Sequence, residues 1–366
     1  MNDMSGPLPA AVPSLAMHRE PFSFTGTARE YFGIWIVNVL LTILTLGIYS
    51  AWAKVRRQRY FYGNTHLAGA TFDYHALPWR ILVGRIIVVS MLVIYNVVVN
   101  FFPVFGLVVF AIFLFAIPWF IMRGLRFNAR VTSYRNVRFD FTGGYWGAFM
   151  AYIVGGLLIY LSAGLLTPIS SRWMWNYMLG NLRYGGRPIE CDPRLNKLYG
   201  QMWLPAFILI GGGIIGLGIV MAILMSGGLP EIDGANPSGW SIGVMIVTLY
   251  AAMIPLFLVV MLAGLIYRAG VRNVVFNETV IDGRHMLASS IGRGRFAWIS
   301  ISNLFATLFT LGLARPWAAV RMASYMATVT ALDTTGSLDA YASDLQNAGT
   351  ATGSEFLDVE GFDLGF

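Results

Sequence analysis

A run of basic side chains set among aromatic rings is the part of this sequence best suited to chemistry. The run comprises Trp52, Lys54, Arg56, Arg57, Arg59 and Tyr60. A four-residue spacing of tryptophan, arginine and tyrosine, which lines one helix face, recurs at Trp317, Arg321 and Tyr325. Guanidinium groups between rings that favour the membrane interface are suited to a phosphate. We expect these residues to bind an anionic lipid or a small anionic ligand, with plain interfacial anchoring as the alternative.

Other kinds of active site have little support in the sequence. The four histidines lack the i, i+4 spacing by which two ligands on one helix hold a metal: His18, His66, His75 and His285. The single cysteine, Cys191, excludes an intramolecular disulfide and a cysteine-rich metal site. No acid–base pair or activated nucleophile stands out. We therefore predict no catalytic residue, no metal and no cofactor, and the sequence favours a protein that is not an enzyme.

Two asparagines, Asn38 and Asn303, lie inside apolar segments and are the polar residues that could line a pathway. A transporter would use them along a water-filled path, whereas hydrogen bonds between helices explain them equally well. No ionisable residue lies in the middle of a predicted span, which argues against a proton-coupled pump or a voltage sensor.

The basic residues belong to a segment that occurs more than once. NVLLTILTLGIYSAWAKVRRQRY at residues 38–60 returns as NLFATLFTLGLARPWAAVRMASY at residues 303–325. A weaker copy at residues 162–181 keeps the glycine of the bend, Gly164, and the tyrosine thirteen positions later, Tyr177. FSFTG at residues 22–26 likewise matches FDFTG at residues 139–143. Such repetition encodes architecture, so we expect a pseudo-threefold internal repeat of strand, apolar helix, basic helix and strand.

Composition sets the class of protein. Of 366 residues, 57% are hydrophobic and 12% are charged, which leaves too little polar surface to cover a soluble globule. Charge-free runs at residues 86–122, 198–230 and 234–267 are long enough for transmembrane helices. Because Pro103 interrupts the first run, we expect a transmembrane hairpin there and one span from each of the other two.

The positions of Lys and Arg predict the orientation, because such residues in short loops mark the cytoplasmic side. The basic segments are residues 54–85, 123–138, 172–197 and 268–295, and both chain termini are then cytoplasmic. Both ends of each repeated apolar segment (31–49, 145–166 and 296–313) also fall on that side. Each segment is therefore either a re-entrant helix that turns back at the glycine bend, which we favour, or a true span, giving seven spans in all.

Short alternating segments at residues 65–75, 182–191 and 274–283 resemble strands that end in glycine turns. Strands cannot lie bare in lipid, so we expect a small cytoplasmic β-sheet. The predicted fold is thus a mainly α integral membrane protein with transmembrane hairpins and this small sheet. The predicted segments are a disordered N-terminal tail (1–21), repeat 1 with its hairpin (22–126), repeat 2 with its hairpin (127–268), a partial repeat 3 (269–332) and an acidic C-terminal tail (333–366).

The repeated segment resembles the YjgN-type family of bacterial inner-membrane proteins, which has no established function. The resemblance covers roughly residues 22 to 332 and rests on FGIWIVNVLLTILTLGIYSAWAKVRRQRYFYGNTHLAG at residues 32–69, with its echo at residues 303–325. It implies a bacterial cytoplasmic membrane and no particular chemistry. The third repeat departs from the pattern, since Ala319, Met322 and Ser324 replace the basic residues of the first.

The sequence therefore predicts a multi-pass inner-membrane protein whose partners are membrane lipids, above all anionic headgroups. It would bind an anionic lipid or small anionic ligand at a basic, aromatic-rich cytoplasmic face, and transport of that ligand is a further hypothesis. A non-catalytic scaffold that docks a partner is the alternative. The positive net charge of +7 is better explained by the anionic leaflet than by nucleic acid.

Overall fold

The strands form a closed antiparallel barrel in the computed structural model, which describes residues 17–225 and 239–353. In chain order, the ten strands of this described part are β1 (Met17–Phe24), β2 (Thr65–Leu67), β3 (Ala70–Tyr74), β4 (Thr132–Tyr134), β5 (Val137–Phe141), β6 (Leu182–Tyr184), β7 (Arg187–Cys191), β8 (Thr279–Ile281), β9 (His285–Ser289) and β10 (Thr330–Thr335). Tight turns join β2 to β3, β4 to β5, β6 to β7 and β8 to β9. The central residues of these turns have positive φ, as hairpin turns require.

The predicted fold class, a mainly α membrane protein with a small cytoplasmic sheet, is wrong, because the strands close into a barrel. Closure depends on β1, which pairs with β2 on one side and with β10 on the other. Met17 lies opposite Thr335, at the far end of the described chain. Strands as short as 3 residues, separated by long helical insertions, carry no local pattern that reveals this closure.

Helices connect the strands in pairs, and every pair leaves and rejoins the barrel at the same end. The pairing registers require this, since Phe24 lies opposite Thr65 and Phe141 lies opposite Leu182. We call this the helical end, and the opposite end, which carries the tight turns, the turn end. Helix α1 also packs against the last helix pair, so the helix pairs form a ring above the barrel.

Three short helix pairs carry the repeated sequence. They are α1 (Ala28–Leu44) with α2 (Ser50–Gly63); α5 (Tyr145–Ala148), which continues through a π-helical segment (Phe149–Val154) into α6 (Gly155–Leu161), with α7 (Thr167–Gly180); and α11 (Arg293–Phe309) with α12 (Arg315–Thr328). In the first bend, the Thr45 hydroxyl donates to Leu41 O and accepts from Tyr49 N–H. Leu46 and Gly47 then adopt φ of 50° and 93°, and the other two bends repeat these values.

Two long helix pairs extend further from the barrel. They are α3 (Pro78–Phe101) with α4 (Pro103–Arg130), and α8 (Leu195–Gly200) and α9 (Trp203–Met225) with α10 (Gly239–Asn277). Within the described ranges, four stretches of these helices are long and apolar enough to cross a membrane. They contain most of the predicted apolar runs. The expected strand at residues 274–276 is wrong, because α10 continues to Asn277 before β8 begins.

A last helix, α13 (Leu338–Gly353), lies over the turn end of the barrel. Its side chains Leu338, Ala342 and Leu345 join the apolar residues of the barrel lumen. Asp339 forms an ion pair with Arg135 in the β4–β5 turn. The structure thus places β1 partly in the predicted N-terminal tail, and the end of β10 and α13 in the predicted acidic tail. Residues 1–16 and 354–366 of those tails lie outside the described residues, as does all but the last residue of the loop at 227–239, which its lack of Lys and Arg predicts to be external.

Candidate functional site

The asparagines and arginines singled out separately in the sequence meet in pairs between helices. Arg56 Nη1 lies 3.4 Å from Asn38 Oδ1, across the α1–α2 pair. In the α11–α12 pair, Arg321 Nη1 donates to Asn303 Oδ1 at 3.0 Å and to Ser302 Oγ at 2.7 Å. Asn38 and Asn303 are only 7% and 8% exposed. Both are therefore used in contacts between helices rather than presented to a wide path.

The middle helix pair has a different set of residues at the same place. Gly155 and Trp173 stand at the positions of the asparagine and the arginine. A Cβ atom on Gly155 would lie 2.6 Å from Ser170 Oγ, where the other two copies have Ala53 and Ala318. Ser170 thus occupies the space that an asparagine at position 155 would need. Together, Gly155, Ser170 and Trp173 replace the asparagine–arginine contact of the other two pairs with close packing.

In each short pair, the repeated tyrosine of the second helix donates a hydrogen bond to the backbone just before the first helix. Tyr60 donates its hydroxyl to Thr27 O at 2.8 Å, and Tyr325 donates to Gly292 O at 3.2 Å. Tyr177 makes the same bond to Gly144 O at 3.0 Å. The geometry gives Tyr60 and Tyr325 a structural partner, so a ligand would have to compete with the backbone for either hydroxyl.

The remaining predicted ligand residues do not converge on one point. Trp52 stacks on Tyr49, Arg57 lies over the Phe61 ring, and Trp317 stacks beneath Arg321. Several arginines instead fasten helices to the barrel: Arg59 Nε to Tyr74 O at 3.2 Å, Arg126 Nε to Phe141 O at 3.3 Å, and Arg272 Nη1 to Ser289 Oγ at 2.8 Å. The side chains of the basic run on α2 therefore contact several different partners.

Two basic pockets contain predicted residues: Arg321 and Tyr325 line one of them with Arg295, and Lys54 lines the other. The second pocket lies between α2, α3 and α4, has a volume of about 230 Å³ and is also lined by Arg80, Arg123 and Trp119. The Arg123 guanidinium lies 5.5 Å from the centroid of the Trp119 ring. Apolar residues complete the lining, and no Asp or Glu is among the residues that form it. We refer to this as the Lys54 pocket.

Sequence reasoning missed Arg80 and Arg123 as binding residues and used them only within the basic segments 54–85 and 123–138 that predict the orientation. The sequence did contain a signal: the two arginines lie at the ends of the predicted hairpin that are nearest the barrel. Arg80 lies where α3 begins, and Arg123 lies where α4 approaches its end. That signal identifies a pocket only when α2 is known to pack beside α3, which the structure supplies.

Acidic side chains form ion pairs with basic residues of the barrel and of the helices next to it. Arg19 Nε and Nη2 donate to the two oxygens of Asp333 at 2.7 and 2.9 Å, across the closing β1–β10 pair. Arg172 makes a similar contact with Asp192. These acids are thus occupied in positions that stabilise the barrel, away from the residues that line the Lys54 pocket.

In the part of the chain that the structure describes, no group of side chains is arranged for metal binding or redox chemistry. In residues 17–225 and 239–353, no cluster of three His, Cys, Asp or Glu side chains could hold a metal ion. Cys191 is buried at the end of β7, and burial raises the pKa of its thiol. A thiol in that environment is a poor nucleophile.

Comparison with known proteins gives a consistent assignment. The sequence model of a family described as "Bacterial protein of unknown function (DUF898)" matches residues 19–359. The inner membrane protein YjgN of Salmonella typhimurium is 25% identical over 367 residues, covering 88% of this chain and 90% of that protein. YjgN of Escherichia coli K12 is 35% identical over 159 residues, which are 41% of this chain and 40% of that protein. No solved structure matches. The family resemblance is thereby confirmed.

Proposed function

The chain belongs to this family of bacterial proteins of unknown function, and on that premise we propose that it binds the phosphate of an anionic membrane lipid in the Lys54 pocket. The relatives are inner membrane proteins and the chain has four helices suited to crossing a membrane, so it is an inner membrane protein. The observation that carries the proposal is the convergence of Lys54, Arg80 and Arg123 on one cavity whose lining has no acid.

The chemistry of the Lys54 pocket suits a lipid headgroup. Arg80 and Arg123 can donate several hydrogen bonds to one phosphate, and Lys54 adds a third positive charge. The apolar side of the pocket, formed by Ile87, Phe120 and neighbouring residues, suits the acyl part of the same lipid. Basic pockets between transmembrane helices at the cytoplasmic surface are typical sites for anionic headgroups.

The depth of the pocket along the hairpin also supports a headgroup. Arg80 is in the first turn of α3, and the apolar, exposed part of that helix follows it. A membrane boundary near this turn would place the phosphate at the level of the basic side chains. The barrel then lies on the cytoplasmic side, as the positive-inside rule expects from the basic segments at residues 54–85 and 123–138 that flank this hairpin.

The short helix pairs fit this arrangement as re-entrant elements. Leu46 and Leu311 at the tips of two pairs are 94% and 95% exposed, which is expected of residues surrounded by lipid. Helix α1 has 17 residues, about 25 Å, which is shorter than the hydrocarbon core of about 30 Å. Both ends of each pair lie on the barrel, so a helix that enters the bilayer and returns is the geometry we propose.

Transport is not part of the proposal. The path expected from the sequence required Asn38 and Asn303 to face water, and the two side chains are instead buried against Arg56 and Arg321. A scaffold that docks a protein partner has no observation of its own in its favour. Lipid binding is the function that the geometry supports best.

The test is lipid retention by the purified full-length protein, measured by native mass spectrometry with phosphatidylglycerol and phosphatidylcholine. We expect the wild type to retain phosphatidylglycerol preferentially. The triple variant Lys54→Gln/Arg80→Gln/Arg123→Gln should lose that preference. Three basic contacts at about 1 kcal/mol each amount to about 3 kcal/mol, or an affinity loss of roughly 150-fold.

The matched control removes the same charge from the barrel surface, with Arg138→Gln, Arg183→Gln and Arg187→Gln, all of them exposed. This control should retain phosphatidylglycerol as the wild type does. Competition with inorganic phosphate separates a lipid site from a site for a free anion: phosphate at millimolar concentration should leave lipid retention unchanged. Equal retention by the wild type and the pocket variant would contradict the proposal.

A further inference from the structure

The lumen of the barrel contains an apolar cavity. The cavity has a volume of about 170 Å³, and its lining is contributed by strands from around the barrel together with α13. Leu67, Leu287 and Leu332 are among the side chains that form its wall. A barrel interior of this kind would be filled by its own side chains if its role were only structural, since protein cores are close-packed. Apolar cavities of similar volume remain dry and bind molecules such as benzene.

Two polar side chains in this wall, His285 and Tyr341, have a buried atom with no hydrogen-bond partner. His285, at the start of β9, is only 2% exposed. Its Nδ1 accepts from the Thr335 backbone N–H at 3.4 Å, so the neutral ring carries its proton on Nε2. Nε2 is buried and has no hydrogen-bond partner. A buried donor without a hydrogen-bond partner is rare in a packed protein core. It is expected in a binding site, where an acceptor atom of the ligand completes the hydrogen bond.

We propose that the barrel lumen is a binding site for a small apolar molecule, of single-ring aromatic size, that carries one hydrogen-bond acceptor for His285 Nε2. The apolar wall supplies affinity through burial, and the histidine selects an ether, carbonyl or similar oxygen over a hydrocarbon. This site is separate from the Lys54 pocket, which shares no lining residue with it.

Helix α13 is the element through which the ligand reaches the lumen. Its Tyr341 ring packs edge-on against His285 with centroids 4.7 Å apart, so the helix covers the histidine directly. Polar contacts hold α13 at the turn end: the Asp339–Arg135 ion pair and a 2.7 Å bond from Gln346 Nε2 to Arg135 O. Gly336, with φ of 83°, joins α13 to β10. Movement about this junction would open the cavity without breaking a strand pair.

The test uses 19F NMR of the full-length protein in nanodiscs with 4-fluoroanisole, whose ether oxygen can accept from His285. We expect a resonance that is distinct from the lipid-dissolved ligand and saturates with protein concentration. The isosteric hydrocarbon 1-ethyl-4-fluorobenzene should bind about fivefold more weakly, the worth of one hydrogen bond. His285→Phe should abolish this difference while retaining both ligands.

Two lumen-filling variants and one control make the result specific. Leu287→Trp and Ile281→Trp fill the cavity from neighbouring strands, and either should remove the protein-dependent resonance. Met286→Trp is the matched control, because Met286 lies between the lumen residues His285 and Leu287 in β9 and is not part of the lumen lining, as the alternation of side chains along a strand requires. The control should bind as the wild type does. A resonance that is absent from the wild type, or that persists in both folded lumen-filling variants, would overturn the proposal.

Discussion

The packing of α9 against α10 depends on one glycine in a row of three, and this gives a sharp prediction. A Cβ atom on Gly212 would lie 2.4 and 2.6 Å from the two methyl carbons of Val259 in α10, and 3.1 Å from its Cβ. Gly211 and Gly213 have nothing within 4 Å of the same position. Gly212→Ala should therefore force the two helices apart, whereas the same change on either side should not.

The magnitude follows from these distances. Carbon atoms pack best at about 3.5 to 4.0 Å, so the added methyl group requires a separation of about 1 Å along the contact. Overpacking of this kind costs about 1 to 3 kcal/mol. All three substitutions share the gain in helix propensity of about 1 kcal/mol from replacing glycine with alanine. Gly212→Ala should thus be about 1 to 3 kcal/mol less stable than Gly211→Ala or Gly213→Ala.

The assay is the free energy of unfolding in mixed micelles, measured for the three alanine variants under one condition. Val259→Ala should restore the stability of Gly212→Ala by removing both methyl groups from the contact, and the double-mutant cycle isolates that coupling. If Gly212→Ala were as stable as its two neighbours, or if Val259→Ala gave no rescue, the packing described for this helix pair would be refuted.

Two further predictions concern the barrel and its junctions. The pKa of His285 is lowered, chiefly by burial; the charge of Asp282 raises it and that of Arg284 lowers it. Just below pH 6.5 the unfolded chain therefore binds a proton at this histidine that the folded chain does not. The free energy of unfolding should thus fall as pH drops from 6.5 towards the folded-state pKa. His285→Phe should flatten this window in pH-dependent unfolding, and an unchanged profile would show that another group is responsible. Gly143→Ala should lower the melting temperature by an amount that corresponds to about 1 to 3 kcal/mol, because its Cβ would lie 2.5 Å from atoms of the buried Phe141 ring. Gly144→Ala, with nothing within 4 Å, is the control, and equal effects would contradict the reasoning.

The parts of the fold that follow from local sequence could be predicted. Long apolar runs identified the helices that are long and apolar enough to cross a membrane, and the positions of Gly47, Gly164 and Gly312 located the three bends. The segments at residues 65–75 and 182–191 were predicted as strands with glycine turns, and in the structure each is a hairpin of two short strands. Each of these features depends on residues within a few positions of one another.

The features that were missed depend on distant residues. Barrel closure joins β1 to β10, and the partner of Arg19 is Asp333. Residues 274–276 were predicted as part of a strand because Val274, Val275 and Phe276 are apolar and partly β-branched, yet α10 continues through them. Its tertiary contacts override that local preference, since Val275 is buried in the α10 packing cluster.

The candidate site was predicted only in part, for a related reason. Lys54 was identified from its basic run, but its neighbours Arg80 and Arg123 come from two other helices. The lumen site rests on His285, which appeared in the sequence as one scattered histidine. Neither grouping is visible until the barrel brings the helices and strands together.

The most direct test of the arrangement proposed for this membrane protein is cysteine labelling with a membrane-impermeant thiol reagent. In a Cys191→Ala background, single cysteines are placed at Asn136 in a barrel turn, at Leu46 in a short-pair bend and at Ser238 between α9 and α10. A cytoplasmic barrel with re-entrant short helix pairs predicts that Ser238 is labelled in intact cells, Asn136 only after permeabilisation and Leu46 in neither case. Labelling of Asn136 or Leu46 in intact cells would contradict it.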